Sequence, residues 1–245
     1  MTTIDARGIY YRQLNELMKE IIRNGETEIE VLNVNGQRYI GDGITGKATI
    51  TINGVPGNDL ATFMNGPTII VKNNAQDGIG NTMNEGKVVV YGHAGDVLGY
   101  GMRGGKLFIK GDVGYRVGIH MKGYMDKKPV IVIGGAAGNF LGEYMAGGYL
   151  ILLGIEGNKN IPIAGDYLGT GMHGGIMYIR GEINQYQCGA EVGITGLDKE
   201  DKGFLSRILR EYCDDLNFDY DKVISGDFVK IYPKSSRPYG RLYAY

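Results

Sequence analysis

The chain has little of what defines several large classes of protein. Two cysteines, Cys188 and Cys213, stand far apart among 245 residues, which argues against a disulfide framework or a zinc site. Only 6 residues are proline, which excludes collagen and most disordered low-complexity chains. No apolar run approaches the roughly 18 residues of a membrane span, and the N-terminal segment lacks the apolar core of a signal peptide. We therefore expect a soluble cytoplasmic protein.

The chain also has no large excess of charge of one sign. The 26 basic and 27 acidic residues leave a net charge of −1, and no basic stripe is visible. This balance argues against binding to nucleic acid or to an anionic membrane surface. Hydrophobic residues make up 43% of the chain, which is enough for a sizeable core.

Glycine, in contrast, is abundant. It supplies 42 of the 245 residues, more than twice the usual share of about 7%. The glycines alternate with short runs of valine, isoleucine and leucine. This pattern predicts many tight turns between short strands.

Methionines mark a repeat of about nineteen residues. Met64, Met83, Met102 and Met121 are spaced by nineteen, and Met145 and Met172 follow at 24 and 27. An apolar residue lies four positions before each of them and a small residue, usually Gly, lies three positions before. A four-residue apolar run follows each Met, which predicts strands at residues 69–72, 88–91, 107–110, 130–133, 150–153 and 177–180.

One such unit cannot bury its own apolar face, but stacked units can. The repeat therefore predicts an all-β fold, a single-stranded right-handed parallel β-helix, since crossovers between parallel strands are nearly always right-handed. A ladder of Met side chains is then best interpreted as core packing at one corner rather than as a metal or redox site.

The two ends of such a solenoid need covering, because open sheet edges pair with other chains. Residues 1–40 are predicted to form a cap, with a helix that ends at Gly25 and a hairpin of strands 29–34 and 37–40 joined at Asn35-Gly36. Residues 41–185 are predicted to form the β-helix. Residues 186–245 are predicted to cap the other end with a helix at 204–212, a strand at 228–232 and a basic, tyrosine-rich tail.

Two pairs of polar side chains should stack on neighbouring coils. His93 and Asp112 are nineteen residues apart and could form a hydrogen-bonded imidazole–carboxylate pair, or simply a structural polar ladder. Asp77 and Asp96 have the same spacing. Two carboxylates one strand apart would raise one pKa or attract a cation, as in some polysaccharide-cleaving β-helices, although exposed corner aspartates are the plainer interpretation.

No catalytic, cofactor-binding or metal site is predicted. The three histidines occupy different registers of the repeat, and no nucleophile or phosphate-binding motif is present. For contacts with partners, the best candidates are a bulge in the repeat and the C-terminal tail, because insertions into a solenoid often carry the contacts. The candidate interface residues are Tyr124, Asp126, Lys127, Lys128, Arg237, Tyr239, Arg241 and Tyr243.

Three glycine-rich strings carry a resemblance to a known family. FLGEYMAGGYLILLG at 140–154, LGYGMRGG at 98–105 and LGTGMHGGIMY at 168–178 resemble the C-terminal GXGXG domain of the glutamate synthase large subunit. The likeness covers roughly residues 40–182. The same fold family includes one of the subunits of formylmethanofuran dehydrogenase.

The resemblance implies a right-handed β-helix that holds catalytic units in place and carries no catalytic residue itself. It implies a scaffold subunit of a glutamate-synthase-type complex, which makes glutamate from glutamine and 2-oxoglutarate. Glutaminase and FMN-containing synthase chains would be its partners, with FMN and iron–sulfur clusters on those chains. A subunit of a formylmethanofuran-dehydrogenase-like complex, a homo-oligomer, and a free-standing carbohydrate-active β-helix that uses Asp77 and Asp96 stay open.

Overall fold

The computed structural model of the protein describes residues 1–155 and 162–236. Four of the candidate interface residues, Arg237, Tyr239, Arg241 and Tyr243, lie outside this part of the chain. Within it, no helix is both long enough and apolar enough to cross a membrane.

In the part of the chain that the structure describes, eleven strands form one continuous sheet, and the first nine follow one another in chain order as parallel neighbours. This arrangement confirms the predicted parallel β-helix, with one strand in each coil. The helices are α1 (Tyr11–Arg23), α2 (Lys199–Leu216) and α3 (Tyr220–Ile224). The strands are β1 (Thr2–Asp5), β2 (Glu28–Asn35), β3 (Thr49–Val55), β4 (Asn65–Val71), β5 (Glu85–Val90), β6 (Lys106–Ile109), β7 (Val130–Ile133), β8 (Ala146–Leu152), β9 (Gly174–Arg180), β10 (Val192–Thr195) and β11 (Phe228–Pro233).

The core consists of ladders of equivalent residues. Ile69, Val88 and Leu107 pair directly on adjacent strands, and their side chains are fully buried. The repeat methionines form a second buried ladder. Both ladders follow from the sequence period, because each coil places the same position of the repeat above the one before. The interpretation of the methionines as core residues is confirmed.

The backbone conformation at one corner of each coil, just before the repeat methionine, explains why glycine recurs there. Positions five, three and one before the methionine all have a positive φ, as at Arg116 (57°), Gly118 (76°) and His120 (54°) before Met121. The middle position faces the core. A Cβ on Gly118 would lie 2.8 Å from the Leu150 Cδ1 atom, so both the backbone angle and the space favour glycine there.

The predicted N-terminal hairpin is wrong. Strand β2 pairs in parallel with β1 and β3, and residues 37–40 form no strand. The Gly36 N–H group donates to the Val55 carbonyl of the next coil, so Asn35-Gly36 continues the solenoid instead of reversing it. Tyr39, with a φ of 58°, already belongs to the first corner.

Helix α1 covers the end of the first coil, as predicted. Leu14 and Met18 are fully buried in the main core. Asn15 is also buried; its side chain donates to the Tyr11 carbonyl and accepts a hydrogen bond from the Gly41 N–H group. The side chain also donates to the Arg38 carbonyl at 3.3 Å, and this bond and the one from Gly41 join the helix to the backbone of the first corner.

The C-terminal segment adds two strands to the far end of the sheet and also covers one side of it. Strand β11 lies antiparallel between β9 and β10 and confirms the strand predicted at 228–232. Helix α2 confirms the predicted helix, but it packs along the outer face of the sheet, where Phe108 and Tyr212 meet at 5.5 Å between ring centres. The domain boundaries at residues 40 and 185 stay predictions; sheet pairing crosses both.

Candidate functional site

Asp77 and Asp96 lie on neighbouring coils in a ladder of side-chain caps. The Asp77 Oδ1 atom accepts a hydrogen bond of 2.9 Å from the Asp96 N–H group, and the Asp96 Oδ1 atom accepts one of 2.8 Å from the Tyr115 N–H group. Asn139 caps Asp166 in the same way. One oxygen of each carboxylate is therefore engaged by the backbone of the next coil.

His93 and Asp112 belong to a second ladder of the same kind. The Asp112 N–H group donates to the His93 Nδ1 atom at 2.9 Å, and the Asp112 Oδ1 atom accepts from the Ala136 N–H group at 2.7 Å. Because Nδ1 accepts, this geometry assigns the imidazole proton to Nε2. The Nδ1 atom lies 3.5 Å from Asp112 Oδ2, and the two side chains are 61% and 59% exposed.

The structure thus brings both predicted pairs together, but each side chain bonds to a backbone N–H group of the next coil rather than to the side chain stacked on it. A glycine precedes every capped residue because a Cβ there would overlap the capping atom. Asp77 Oδ1 occupies this place at Gly95, and Asp96 Oδ1 occupies it at Gly114. The sequence signal for the ladders was therefore Gly followed by a polar residue at nineteen-residue spacing.

Metal-ligating side chains do not converge in the described ranges 1–155 and 162–236: no group of three His, Cys, Asp or Glu residues there could hold an ion. The two thiols are poor nucleophiles as well. Burial raises the pKa of Cys213 to about 11 and raises the pKa of Cys188, and the thiolate is the reactive form.

The corners carry an aromatic stripe that the sequence reasoning missed. Phe140 and Tyr167 stack at 4.8 Å between ring centres, and the Arg116 guanidinium lies 5.1 Å from the Phe140 ring. His120 and Tyr144 stack at 5.3 Å. We define the aromatic stripe as the aromatic and histidine side chains of the corners: Tyr39, Phe63, Tyr100, His120, Phe140, Tyr144 and Tyr167.

Several stripe residues occupy backbone positions that favour glycine. Phe63, Phe140, Tyr144 and Tyr167 all have φ values between 50° and 64°, which costs roughly 1–2 kcal/mol for a residue with a side chain. Phe63 and Tyr167 are also exposed. The repeat imposes this backbone angle at every corner, so it is the exposure of the rings that marks the stripe as a candidate contact surface. Most of its members lie one or five positions before the repeat methionine, or before Ile44 at the equivalent place, and Tyr100 lies two positions before Met102.

One buried charge lies beneath the stripe. Glu143 is 7% exposed, and its Oε2 atom lies 3.4 Å from the Arg116 Nε atom without forming a hydrogen bond. The ion pair holds the guanidinium over the Phe140 ring. Arg116 itself keeps half of its side chain in solvent.

A shallow hollow of about 320 Å³ lies in the stripe beside Gly78 and Val97. These two residues occupy the position that Phe140 and Tyr167 occupy in later coils. Asp59, Asp77 and Tyr100 are among the residues that line it. The Asp59 Oδ1 atom accepts a hydrogen bond from the Asn81 amide at 3.2 Å. This arrangement suits a cationic group better than an anionic one.

The bulge predicted to meet a partner projects from the corner after Met121. Tyr124, Asp126, Lys127 and Lys128 are all exposed. Tyr124 and Lys127 exchange backbone hydrogen bonds of 3.1 Å, and the Lys127 ammonium lies 2.6 Å from Glu85. The role of the bulge as an interface stays a prediction.

A buried charged network joins α2 to the sheet. Asp201, 4% exposed, accepts hydrogen bonds from the Tyr178 hydroxyl at 2.7 Å and from the Lys230 ammonium at 2.9 Å. Burial on its own would raise the pKa of Asp201, but the bonds from Lys230 and Tyr178 hold it below its ordinary value. Burial, together with the Asp201 carboxylate, raises the pKa of Tyr178 far above its usual range. All three groups are tied to one another, so the network is structural.

Comparisons with known proteins agree with this architecture. The family profile described as the GXGXG motif matches residues 12–236. An uncharacterized protein of Methanocaldococcus jannaschii is 50% identical over 248 residues, which covers 98% of this chain and 95% of that protein.

Among solved structures, a chain of the formyltransferase/hydrolase complex (FhcABCD) of Methylorubrum extorquens, determined with methylofuran, is similar in fold. The TM-score is 0.65 at 20% identity, over 92% of this chain and 88% of that chain. At this identity the likeness concerns the fold alone.

Proposed function

Because the chain belongs to the GXGXG motif family, we propose that it is a non-catalytic scaffold subunit of a multi-chain enzyme. The observation that carries the proposal is that the side chains of the polar ladders are bonded to the backbone. Asp77, Asp96, His93 and Asp112 each spend an acceptor atom on a backbone N–H group of the next coil. In the described part of the chain, no group of three His, Cys, Asp or Glu residues could hold a metal ion, and burial raises the pKa of both thiols.

The first candidate is a glutamate-synthase-type complex for glutamate biosynthesis and ammonia assimilation. The string FLGEYMAGGYLILLG at 140–154 supports it. In this proposal the solenoid holds a glutaminase chain and an FMN-containing synthase chain at a fixed separation. The FMN and iron–sulfur clusters reside on those partners.

The second candidate is a structural subunit of a formylmethanofuran-dehydrogenase-like complex. One observation favours it. The structural likeness to a chain of FhcABCD extends over 92% of this chain, beyond residues 40–182, to which the resemblance to glutamate synthase is limited.

The third candidate, a free-standing carbohydrate-active enzyme, belongs to another class. Its two carboxylates would be Asp77 and Asp96, and each has one oxygen held by a backbone N–H group. The second oxygen of each carboxylate takes part in no such bond, so the test of this candidate is Asp77→Asn/Asp96→Asn, which would abolish turnover in a carbohydrate-active enzyme and leave a scaffold unaffected.

Affinity purification of the tagged full-length chain from its native cell extract, followed by mass spectrometry, tests the proposal. Co-purification of a flavin-containing synthase chain with a glutaminase chain is the expected result for the first candidate. Formyltransferase and dehydrogenase chains would select the second. Recovery of the chain without any other protein at moderate salt, or turnover by the purified chain alone, would contradict the scaffold role.

A further inference from the structure

The aromatic stripe is nearly palindromic along the solenoid. Seven successive corners begin with a residue of positive φ: Tyr39, Asp59, Gly78, Val97, Arg116, Phe140 and Tyr167. Numbered in this order, corner 4 carries Tyr100 at the centre. Tyr39 and Tyr167 occupy the same position of corners 1 and 7, and Phe63 and Tyr144 occupy the same position of corners 2 and 6.

The charges along the stripe change sign about the same centre. Corner 3 is the hollow at Gly78, with Asp59 and Asp77 in its wall. Corner 5, equally far from the centre on the other side, presents the half-exposed Arg116. At the outer positions, Arg38 precedes corner 1 and Asp166 precedes corner 7, and both are exposed.

This combination is what an isologous contact between identical chains requires, since residue i of one copy then meets residue j of the other and the reverse. We propose that the stripe binds a second copy of this chain, with the two solenoids antiparallel. The two-fold axis passes through corner 4, perpendicular to the solenoid axis. Corner 3 of each copy then faces corner 5 of the other.

In this arrangement the two Arg116 side chains enter the two acidic hollows, so the same ion pair forms twice. The Tyr100 rings meet at the axis, and aromatic and arginine side chains are the groups that most often dominate interface energies. Stacking on Phe140 already fixes Arg116, which lowers the entropy lost on binding. The two-fold axis also brings Asp96 of one chain towards Asp96 of the other, and Arg103 towards Arg103. These like charges lie at opposite margins of the stripe, where water screens them.

Sedimentation velocity of the purified full-length chain at low salt tests the proposal, which is independent of the enzyme complex that the chain joins. We expect a dimer with a dissociation constant of roughly 10–100 µM, as suits a small interface. The substitution Tyr100→Ala should weaken the dimer by roughly tenfold or more. The double substitution Asp59→Asn/Asp77→Asn keeps the hydrogen-bond acceptors and should weaken it by roughly tenfold, an effect that should vanish in about 1 M salt.

The matched control is Asp112→Asn/Asp214→Asn, which removes two negative charges away from the stripe and should leave the dimer unchanged. Circular dichroism melting curves would verify that every variant is folded. A wild-type chain that stays monomeric up to roughly 100 µM, or a dimer indifferent to both stripe variants, would overturn the proposal. So would loss of a different protein from the affinity purification upon Tyr100→Ala, since the stripe would then bind that protein.

Discussion

Replacing Asp201 with alanine is expected to lower the free energy of unfolding by about 3 kcal/mol, because the largely buried Lys230 ammonium would keep only the more distant Asp198 carboxylate, at 3.7 Å, as its partner. The Lys230 ammonium, whose side chain is 18% exposed, would lose both carboxylate oxygens. The Tyr178 hydroxyl would lose its acceptor. The N-terminus of α2 would lose a capping bond as well, since the Asp198 N–H group donates to Asp201.

Urea unfolding followed by circular dichroism measures this loss. Asp214→Ala is the matched control, because Asp214 is an exposed residue of the same helix and its replacement should change stability by less than about 0.5 kcal/mol. Equal stability of the two variants would show that the Asp201 network does not hold α2 to the sheet.

The same network predicts an acid-sensitive contribution to stability. Interactions with Lys230 and Tyr178 hold the pKa of Asp201 below its ordinary value of 3.8. A group with a lowered folded-state pKa stabilises the protein above its unfolded-state pKa, and this contribution is lost as the pH falls through the folded-state value. Below about pH 4, the wild-type chain should therefore lose stability more steeply than Asp201→Ala does.

Replacing Met121 with alanine is expected to cost about 2–5 kcal/mol of unfolding free energy. Met121 is fully buried in the corner ladder, and the rigid backbone of the adjacent coils cannot close around the space that the side chain leaves. Met121→Leu conserves most of the volume and should cost less than about 1.5 kcal/mol.

The chain offers a closely matched control for this substitution. Met125 lies four residues further on and is 86% exposed, so Met125→Ala should leave the urea midpoint unchanged. If Met121→Ala were as stable as Met125→Ala, the methionines would not be core residues, and another role for their sulfur atoms would need to be considered.

The solenoid was predictable because every coil repeats the same constraint. The small residue before each methionine, the apolar run after it and the nineteen-residue spacing all require equivalent positions to stack. The hairpin prediction was wrong because Asn35-Gly36 is a local turn signal, while pairing with β1 and β3 is a long-range effect. Local chemistry cannot decide between a reversal and a continuing coil.

The burial pattern of the strands, rather than their period, indicates that α2 packs on the outer face of the sheet. In β3 buried and partly exposed residues alternate, whereas β7 is buried at every position. A strand without alternation is buried on both faces, so the run Val130–Ile133 required a covering element on the outside. Which element covers it could not be derived from the strand itself.

The polar pairs were predictable in position but not in role. Nineteen-residue spacing places His93 beside Asp112 and Asp77 beside Asp96, as observed. Spacing does not show that a backbone N–H group on the next coil takes the acceptor atom first. The aromatic stripe was harder to detect, because its members differ in residue type and the insertions before Met145 and Met172 interrupt the spacing.

The most direct test of the scaffold role uses the complex isolated through the tagged chain. The variant carries Asp77→Asn, Asp96→Asn, His93→Asn and Asp112→Asn together. Each asparagine keeps an oxygen for the backbone bond, as Asn74 already does for the His93 N–H group. We expect the variant complex to contain the same proteins as the wild-type complex and to show the same turnover. A fully assembled variant complex that has lost its turnover would contradict the scaffold role, because one of these side chains would then take part in the chemistry.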